Sequence, residues 1–209
     1  NDPKFWGTYG DGYYYMKRKI ERPRVVLANF KGTSRNFHLK TKVQLGAVKS
    51  KTSTVGILFL TQLGGRGGFL LEINKKKRFK ITDIGNNTII TFQGDEGWIK
   101  SKAIDGIKRN NTIEVKAFRG KFDIYFNNIY TYSFINDSYN RGDFGAYIGS
   151  FSEAKIIYYN VYELEIPNAP EEIIPEDLMN EIKTLKAEND SLRIQVLTAE
   201  FGGKKGTKA

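Results

Sequence analysis

A sugar ring is gripped by an aromatic face against its apolar side, with amides and carboxylates on its hydroxyls. Two places in this 209-residue sequence offer that mixture. Trp98 closes a Gly-Asp-Glu-Gly-Trp turn, and Tyr139-Asn140-Arg141 sits in a loop-like stretch rich in Asn, Asp and Ser. Phe5 and Trp6, ahead of the first expected strand, are further aromatic candidates. Trp98 has a plain structural alternative, as a plug over one end of the core.

Catalysis is harder to place. Glycoside hydrolysis needs two carboxylates flanking the scissile bond. The nearest acid pairs are Asp95-Glu96, in a Gly-rich turn, and Glu163/Glu165, at the end of the β-rich region. Both read as solvated charges, and Asp123 has no evident partner. His38, the one histidine, falls on the polar side of an alternating strand. A Ser-His-acid triad would need an activated Ser and an acid beside it, and no pattern signals either. Gly64–Gly68 lacks the following helix and the Lys-Ser/Thr of a phosphate loop, and reads as a mobile hairpin loop. Lys17-Arg18-Lys19 beside Tyr13-Tyr14-Tyr15 comes nearest to the basic–aromatic mixture of a nucleic-acid binder. Lysines that keep an edge strand from unwanted pairing explain it more simply. The expectation is therefore a protein that is not an enzyme and does not bind nucleic acid.

Assembly chemistry is concentrated at residues 178–199. Leu178, Leu185, Leu192 and Ala199 recur every seven residues, with Ile182, Asn189 and Val196 as a second row. With the first row at d and the second at a, the seam suits a parallel two-stranded coiled coil whose buried Asn189 specifies register. Glu181 and Glu188 at g would face Lys186 and Arg193 at e of a partner helix. Three heptads are few, so a single amphipathic helix docked on another surface is the alternative. Either reading makes Leu178, Ile182, Leu185, Asn189, Leu192 and Val196 the assembly residues, toward a protein partner or a second copy.

The elements that must position these groups are mostly strands. Residues 36–45 alternate, with Phe37, Leu39, Thr41, Val43 and Leu45 on one side and His38, Lys40, Lys42 and Gln44 on the other. That period of two marks a half-buried strand. The continuous apolar run 55–60 predicts a strand covered on both faces. Further strands are expected at 12–16, 24–30, 69–73, 78–84, 88–92, 112–118, 122–126, 129–134, 144–148 and 155–164. Asn127-Asn128 forms a two-residue hairpin turn between its neighbours, since Asn tolerates positive φ. Many short strands at this spacing imply an all-β sandwich or barrel. The predicted division is a sandwich over 1–165, a Pro/Glu linker over 166–175, an amphipathic helix over 176–200 and a flexible tail over 201–209.

The net charge of +10 is unevenly spread. Residues 1–165 carry 27 basic against 15 acidic side chains, and residues 166–209 carry 6 against 8. A basic body can attract nucleic acid, anionic lipid or acidic polysaccharide, yet only 75–80 is a dense run, and most of the charge reads as solvated surface. There is no Cys, which excludes disulfides, thiol catalysis and Cys-based zinc sites. No apolar stretch approaches the roughly 18 residues of a membrane-spanning helix.

Taken in order, these segments resemble the concanavalin A-like lectin/glucanase superfamily in its laminin-G-like bacterial branch. The resemblance rests on RNFHLKTKVQL, TVGILFLTQLGGRGGFLLEINKKKRFKI, the Trp-bearing stretch from GWIKSKAI to RNNTIEVKAFRGKFDIYFNN, and GDFGAYIGSFSEAKIIYYNVYEL. It covers about three-quarters of the chain. It implies a two-sheet antiparallel jelly-roll sandwich, an architecture that hosts lectins, glycosidases and protein-binding modules. The Glu-x-Asp-x-x-Glu run of the family's glucanases is absent. Some laminin-G-like domains hold a calcium ion at a loop end, and Asp83, Asp137 and Asp143 are the acids that could contribute. They form no Asp-x-Asp ligand run, so no cofactor is expected. The resemblance, with a start at Asn1 rather than Met, gives the expectation of a periplasmic or secreted protein of a bacterial envelope. Its expected function is a non-catalytic interaction module, an accessory subunit assembled through the C-terminal helix; carbohydrate binding is the alternative.

Overall fold

The computed structural model describes residues 4–46, 53–62, 67–92 and 95–164. Fourteen strands and one 3-10 turn make up this part. The strands are β1 (Phe5–Gly10), β2 (Tyr13–Arg18), β3 (Arg24–Ser34), β4 (Phe37–Leu45), β5 (Thr54–Thr61), β6 (Phe69–Asn74) and β7 (Arg78–Asp83). They continue with β8 (Thr88–Ile89), β9 (Ile99–Lys100), β10 (Asn110–Phe118), β11 (Lys121–Phe126), β12 (Ile129–Ile135), β13 (Arg141–Ile148) and β14 (Glu153–Glu163). One sheet runs β1-β2-β14-β4-β10-β11-β12; the other runs β3-β13-β5-β6-β7-β8, with β9 also pairing β7. All pairings are antiparallel. The predicted helix over 176–200, with its six assembly residues, lies outside the described residues.

The alternation in β4 does what its period requires. Phe37, Leu39, Thr41, Val43 and Leu45 are buried, and His38, Lys40, Lys42 and Gln44 are half-exposed. Every residue of β5 is buried, as its unbroken apolar run predicts. Between the sheets lies a phenylalanine core. Phe122 stacks on Phe134 at 4.7 Å between ring centroids and meets Phe37, Phe59 and Phe69 at 6.4, 5.8 and 5.2 Å. Phe144 closes on Phe37 edge-on at 4.9 Å. Offset and edge-to-face arrangements of this kind add roughly 0.5–1.5 kcal/mol per pair beyond area burial.

Tyr159 and Asn127 show how polar groups of the sandwich find partners, as burial requires. The Tyr159 hydroxyl, on β14, lies 3.1 Å from both the Leu58 and Gly145 carbonyls of the opposite sheet and donates to them. Those residues face each other where the β13–β5 register shifts, so a phenol spans the core to reach carbonyls at an irregularity in the ladder. Asn127 Oδ1 accepts from the Thr112 amide at 2.8 Å, and its Nδ2 donates to the Ala103 carbonyl at 2.8 Å. Asn127 and Asn128 have φ of 51° and 66°, the two positive angles of the predicted hairpin turn.

The structure departs from the sequence reading in three places. Phe5–Gly10 is a strand, not a lead-in, and it pairs with β2 through Asp11-Gly12, whose φ values are 52° and 76°. Asp-Gly is a strong hairpin signal, and it marks this turn along the chain. The strand expected over 88–92 stops at Ile89, because the Thr91 hydroxyl is drawn into loop bonds. It donates to the Gly97 carbonyl at 2.6 Å and accepts from the Ile81 amide at 3.2 Å. Ile99–Lys100 forms a two-residue strand too short to show a period.

The fold yields a direct prediction. Phe122→Ala removes the ring shared by four others and should destabilise the sandwich by about 3–5 kcal/mol. Denaturant unfolding followed by circular dichroism measures it.

Candidate functional site

The two sheets send alternate side chains inward to the shared core and outward to solvent. On the outer face of the β3–β8 sheet, cross-strand register sets Val25, Tyr147, Gly56, Glu72 and Lys80 in one row. Gly56 forms the low point. A Cβ there would come within 2.3 Å of the Leu71 carbonyl oxygen and 2.8 Å of the Glu72 Cα, so the backbone approach between β5 and β6 leaves no room for a side chain. A cleft of about 370 Å³ opens around this row, lined by Thr54, Glu72, Lys80, Glu96, Trp98 and Tyr147 among others.

Trp98 is delivered to the cleft by the 3-10 turn Asp95–Gly97. Gly97 has φ 78°, and a Cβ on it would meet Ile89 Cγ2 at 2.3 Å. Glycine is needed there both for the left-handed angle and for the close approach. The Lys80 ammonium stands 4.8 Å from the Trp98 ring centroid and 3.4 Å from Glu72 Oε1. One lysine thus joins an indole face to a carboxylate that is only 6% exposed. Trp98 as a whole is half-exposed.

Burial holds the Glu72 carboxyl above its ordinary pKa; Lys80 and a hydrogen bond with Thr54 oppose this without cancelling it. Burial likewise raises the Tyr147 phenol, and the negative charge of Glu72 adds to the effect. A carboxyl, a phenol, a hydroxyl, an ammonium and an indole therefore converge on one concave surface. They offer donors, acceptors and an apolar face, the set that polyhydroxylated ligands engage.

The other predicted ligand residues lie elsewhere. Arg141 starts β13 and Tyr147 nearly ends it, a separation of roughly 20 Å at strand rise. Tyr139 donates its hydroxyl to Asp83 Oδ1 at 2.6 Å and packs edge-on against Phe69 at 5.2 Å. Its ring and hydroxyl are held by the core side of the sandwich, and burial together with Asp83 raises its phenol. The Asn140 Oδ1 lies 3.5 Å from Arg35, and the Arg141 carbonyl accepts from Gln62 at 2.7 Å. Trp6 is 59% exposed, on the outer face of the opposite sheet beside Tyr15. Of the acids considered for calcium, Asp83 accepts from the Gly85 and Asn86 amides, the Asn86 side chain and Tyr139. Asp137 pairs with Arg35 at 3.2 Å.

Sequence reasoning named Trp98 but missed Glu72, Lys80 and Tyr147. A signal existed for the pair. Glu72 is the lone charge inside the apolar strand FLLEIN, and Lys80 sits across the Lys75-Lys76-Lys77 turn from it. Only the register shows that the two meet.

Neither a protein-family model nor a curated protein sequence matches the chain. Solved structures do. The carbohydrate-binding module CBM66 from Bacillus subtilis superposes with a TM-score of 0.61 at 13% identity, covering 76% of this chain and 92% of that one. A Bacillus subtilis protein with a galectin-like fold gives 0.60 at 8% identity, covering 77% and 87%. A putative glycosyl hydrolase from Parabacteroides distasonis gives 0.54 at 14% identity, covering 76% and 83%. At these identities the likeness shows the fold alone: a two-sheet antiparallel β-sandwich, consistent with the concanavalin A-like resemblance read from the sequence. A binding module and a putative enzyme share it.

The raised pKa of Glu72 sets a pH test. A carboxyl whose folded pKa exceeds its unfolded value contributes stability at low pH that is lost as pH rises through the folded pKa. Glu72→Gln should therefore unfold at a higher temperature than the wild type at pH 7, with the gap closing toward pH 4. Thermal scans across that range read the difference.

Proposed function

We propose that the protein is a non-catalytic carbohydrate-binding module, with the Trp98 cleft as its sugar site. The observation that carries this reading is the juxtaposition of the Trp98 indole with the Glu72–Lys80 pair in a surface cleft. Trp98 supplies the apolar face for a ring. Glu72, Tyr147 and Lys80 supply acceptors and donors for its hydroxyls. A CBM66-like and galectin-like fold supports the reading, since neighbours of that fold include a carbohydrate-binding module.

The non-catalytic part of the proposal rests on the state of the acids. Glu72 is tied to Lys80, and the other carboxylate lining the cleft, Glu96, stands on the exposed turn before Trp98. Hydrolysis would require the two to act as acid and base on opposite sides of a bond. Release of reducing ends from a polysaccharide panel, lost in both Glu72→Gln and Glu96→Gln, would make the module an enzyme.

Binding is tested with glycan arrays followed by titration. The background variant Trp6→Phe leaves Trp98 as the one tryptophan, so its emission reports the cleft. A bound glycan should shift that emission. Trp98→Ala should abolish binding, and Glu72→Ala should weaken it at least tenfold, about 1.4 kcal/mol. Unchanged affinity in both variants would remove the cleft from consideration.

Heptads support a second element of the proposal. The segment around Leu178, Ile182, Leu185, Asn189, Leu192 and Val196 assembles the module with itself or docks it on a protein partner, as an accessory subunit in a bacterial periplasmic or secreted setting. Burying such side chains contributes roughly 1.5–3 kcal/mol each. Truncation after Pro175 should leave the sandwich folded and lower the mass in light scattering or abolish partner capture. A truncated protein that unfolds would assign the segment to the sandwich core instead.

A further inference from the structure

The sheet that does not hold the Trp98 cleft carries a lysine stripe across its outer face. Register places Lys17 of β2 opposite Glu153, one step of two residues from Lys155 on β14. Lys155 lies opposite Gln44, again two residues from Lys42 on β4. Lys40 follows on the same face of β4 and lies opposite Glu114 of β10, two residues from Lys116. Lys116 lies opposite Asp123 of β11, two residues from Lys121. The six lysines thus form a near-diagonal path over five adjacent strands. Diagonal neighbours on a sheet are roughly 7–8 Å apart, so the stripe extends about 35 Å.

Three carboxylates share this face, and each is already paired. Glu153 pairs with Lys17 at 3.2 Å, and Asp123 with Lys121 at 3.2 Å. Glu114 is 6% exposed and sits beneath His38, Lys40 and Lys116 at 2.8, 3.3 and 3.4 Å. Among the described residues Lys42 and Lys155 have no carboxylate partner; each stands over a tyrosine ring. Lys155 is 4.0 Å from the Tyr13 centroid and Lys42 is 5.4 Å from Tyr158. Six ammoniums over three carboxylates leave a surplus of three positive charges, carried by the middle of the path, since Lys17 and Lys121 at its ends are each paired.

We infer that this face binds a linear acidic polysaccharide, carrying carboxylate or sulfate groups, along the lysine stripe. Charge complementarity selects a polyanion. The details of the face select a sugar polymer over a nucleic acid. Single-stranded nucleic acids stack bases on open aromatic faces, whereas ammoniums cap a face of Tyr13, Tyr158 and, at 4.8 Å, Tyr125. Gln44 lies opposite Lys155 and Asn160 opposite Lys40, so amides stand among the lysines, with the Gln44 amide donating to the Lys108 carbonyl and Asn110. This site is separate from the Trp98 cleft and does not depend on it.

The test titrates the full chain with polygalacturonate at low salt, beside a single-stranded oligonucleotide of matched charge and vesicles containing anionic lipid. Polygalacturonate should bind and weaken steeply as salt rises. The pair Lys42→Ala with Lys155→Ala should lower affinity about tenfold, and the pair Lys42→Arg with Lys155→Arg should retain it, which separates charge from misfolding. Trp98→Ala should leave polygalacturonate binding unchanged. Conversely, the Lys42/Lys155 alanine pair should leave binding of a neutral glycan at the cleft unchanged, so each site can fail alone. The inference is overturned by absence of polygalacturonate binding at low salt, by indifference to the alanine pair, or by tighter binding of the oligonucleotide or vesicles than of polygalacturonate.

Discussion

A layer of phenylalanines between two antiparallel sheets governs nearly everything else in this protein. Phe122 touches Phe37, Phe59, Phe69 and Phe134, and these residues come from β4, β5, β6, β11 and β12. With no cysteine to cross-link the sheets, apolar burial must hold them face to face. Because side chains alternate along a strand, committing one set to this core places the other set on the two outer faces. Both proposed sites are products of that constraint.

The outer faces have different characters because their rows hold different residues. On one, Gly56 lowers the floor beside Glu72, and Lys80 links that carboxylate to Trp98. The result is a local cleft with a buried charge. The other is an extended surface of lysines and tyrosines in repeated cation–π contact. At its centre, burial raises the Glu114 carboxyl, but hydrogen bonds and charge from His38 and Lys40 outweigh this and hold it below its ordinary pKa. A confined cleft suits a short segment of ligand, and a long stripe suits a polymer.

A two-sheet antiparallel sandwich does not by itself prescribe a function. The same architecture, at similar TM-scores and low identity, carries a carbohydrate-binding module and a putative hydrolase. What separates binding from catalysis on such a frame is the disposition of a few carboxylates. In this chain the most deeply placed one in the cleft, Glu72, is paired with a lysine, and that pairing is the feature on which the non-catalytic proposal turns.

The sequence by itself determined the fold class and most strand positions, because period-two alternation such as Phe37–Leu45 is a local property that burial enforces directly. It also marked Trp98, whose Gly-flanked turn is visible as a string of residues. The Asp11-Gly12 hairpin is equally legible, since Asp-Gly is a local turn signal. Tertiary structure alone decided the partners. Glu72 meets Lys80 across one turn, but Tyr147 joins them from seventy-five residues away in sequence, through pairings of β13 with β5 and β5 with β6. The lysine stripe is likewise invisible along the chain, since its members come from five strands that are neighbours only in the sheet. Tyr139, which reads as a loop aromatic, is turned inward by Asp83 and Phe69. Sheet register is a long-range quantity, set by which strands pair and where their ladders slip, and no window of local sequence contains it.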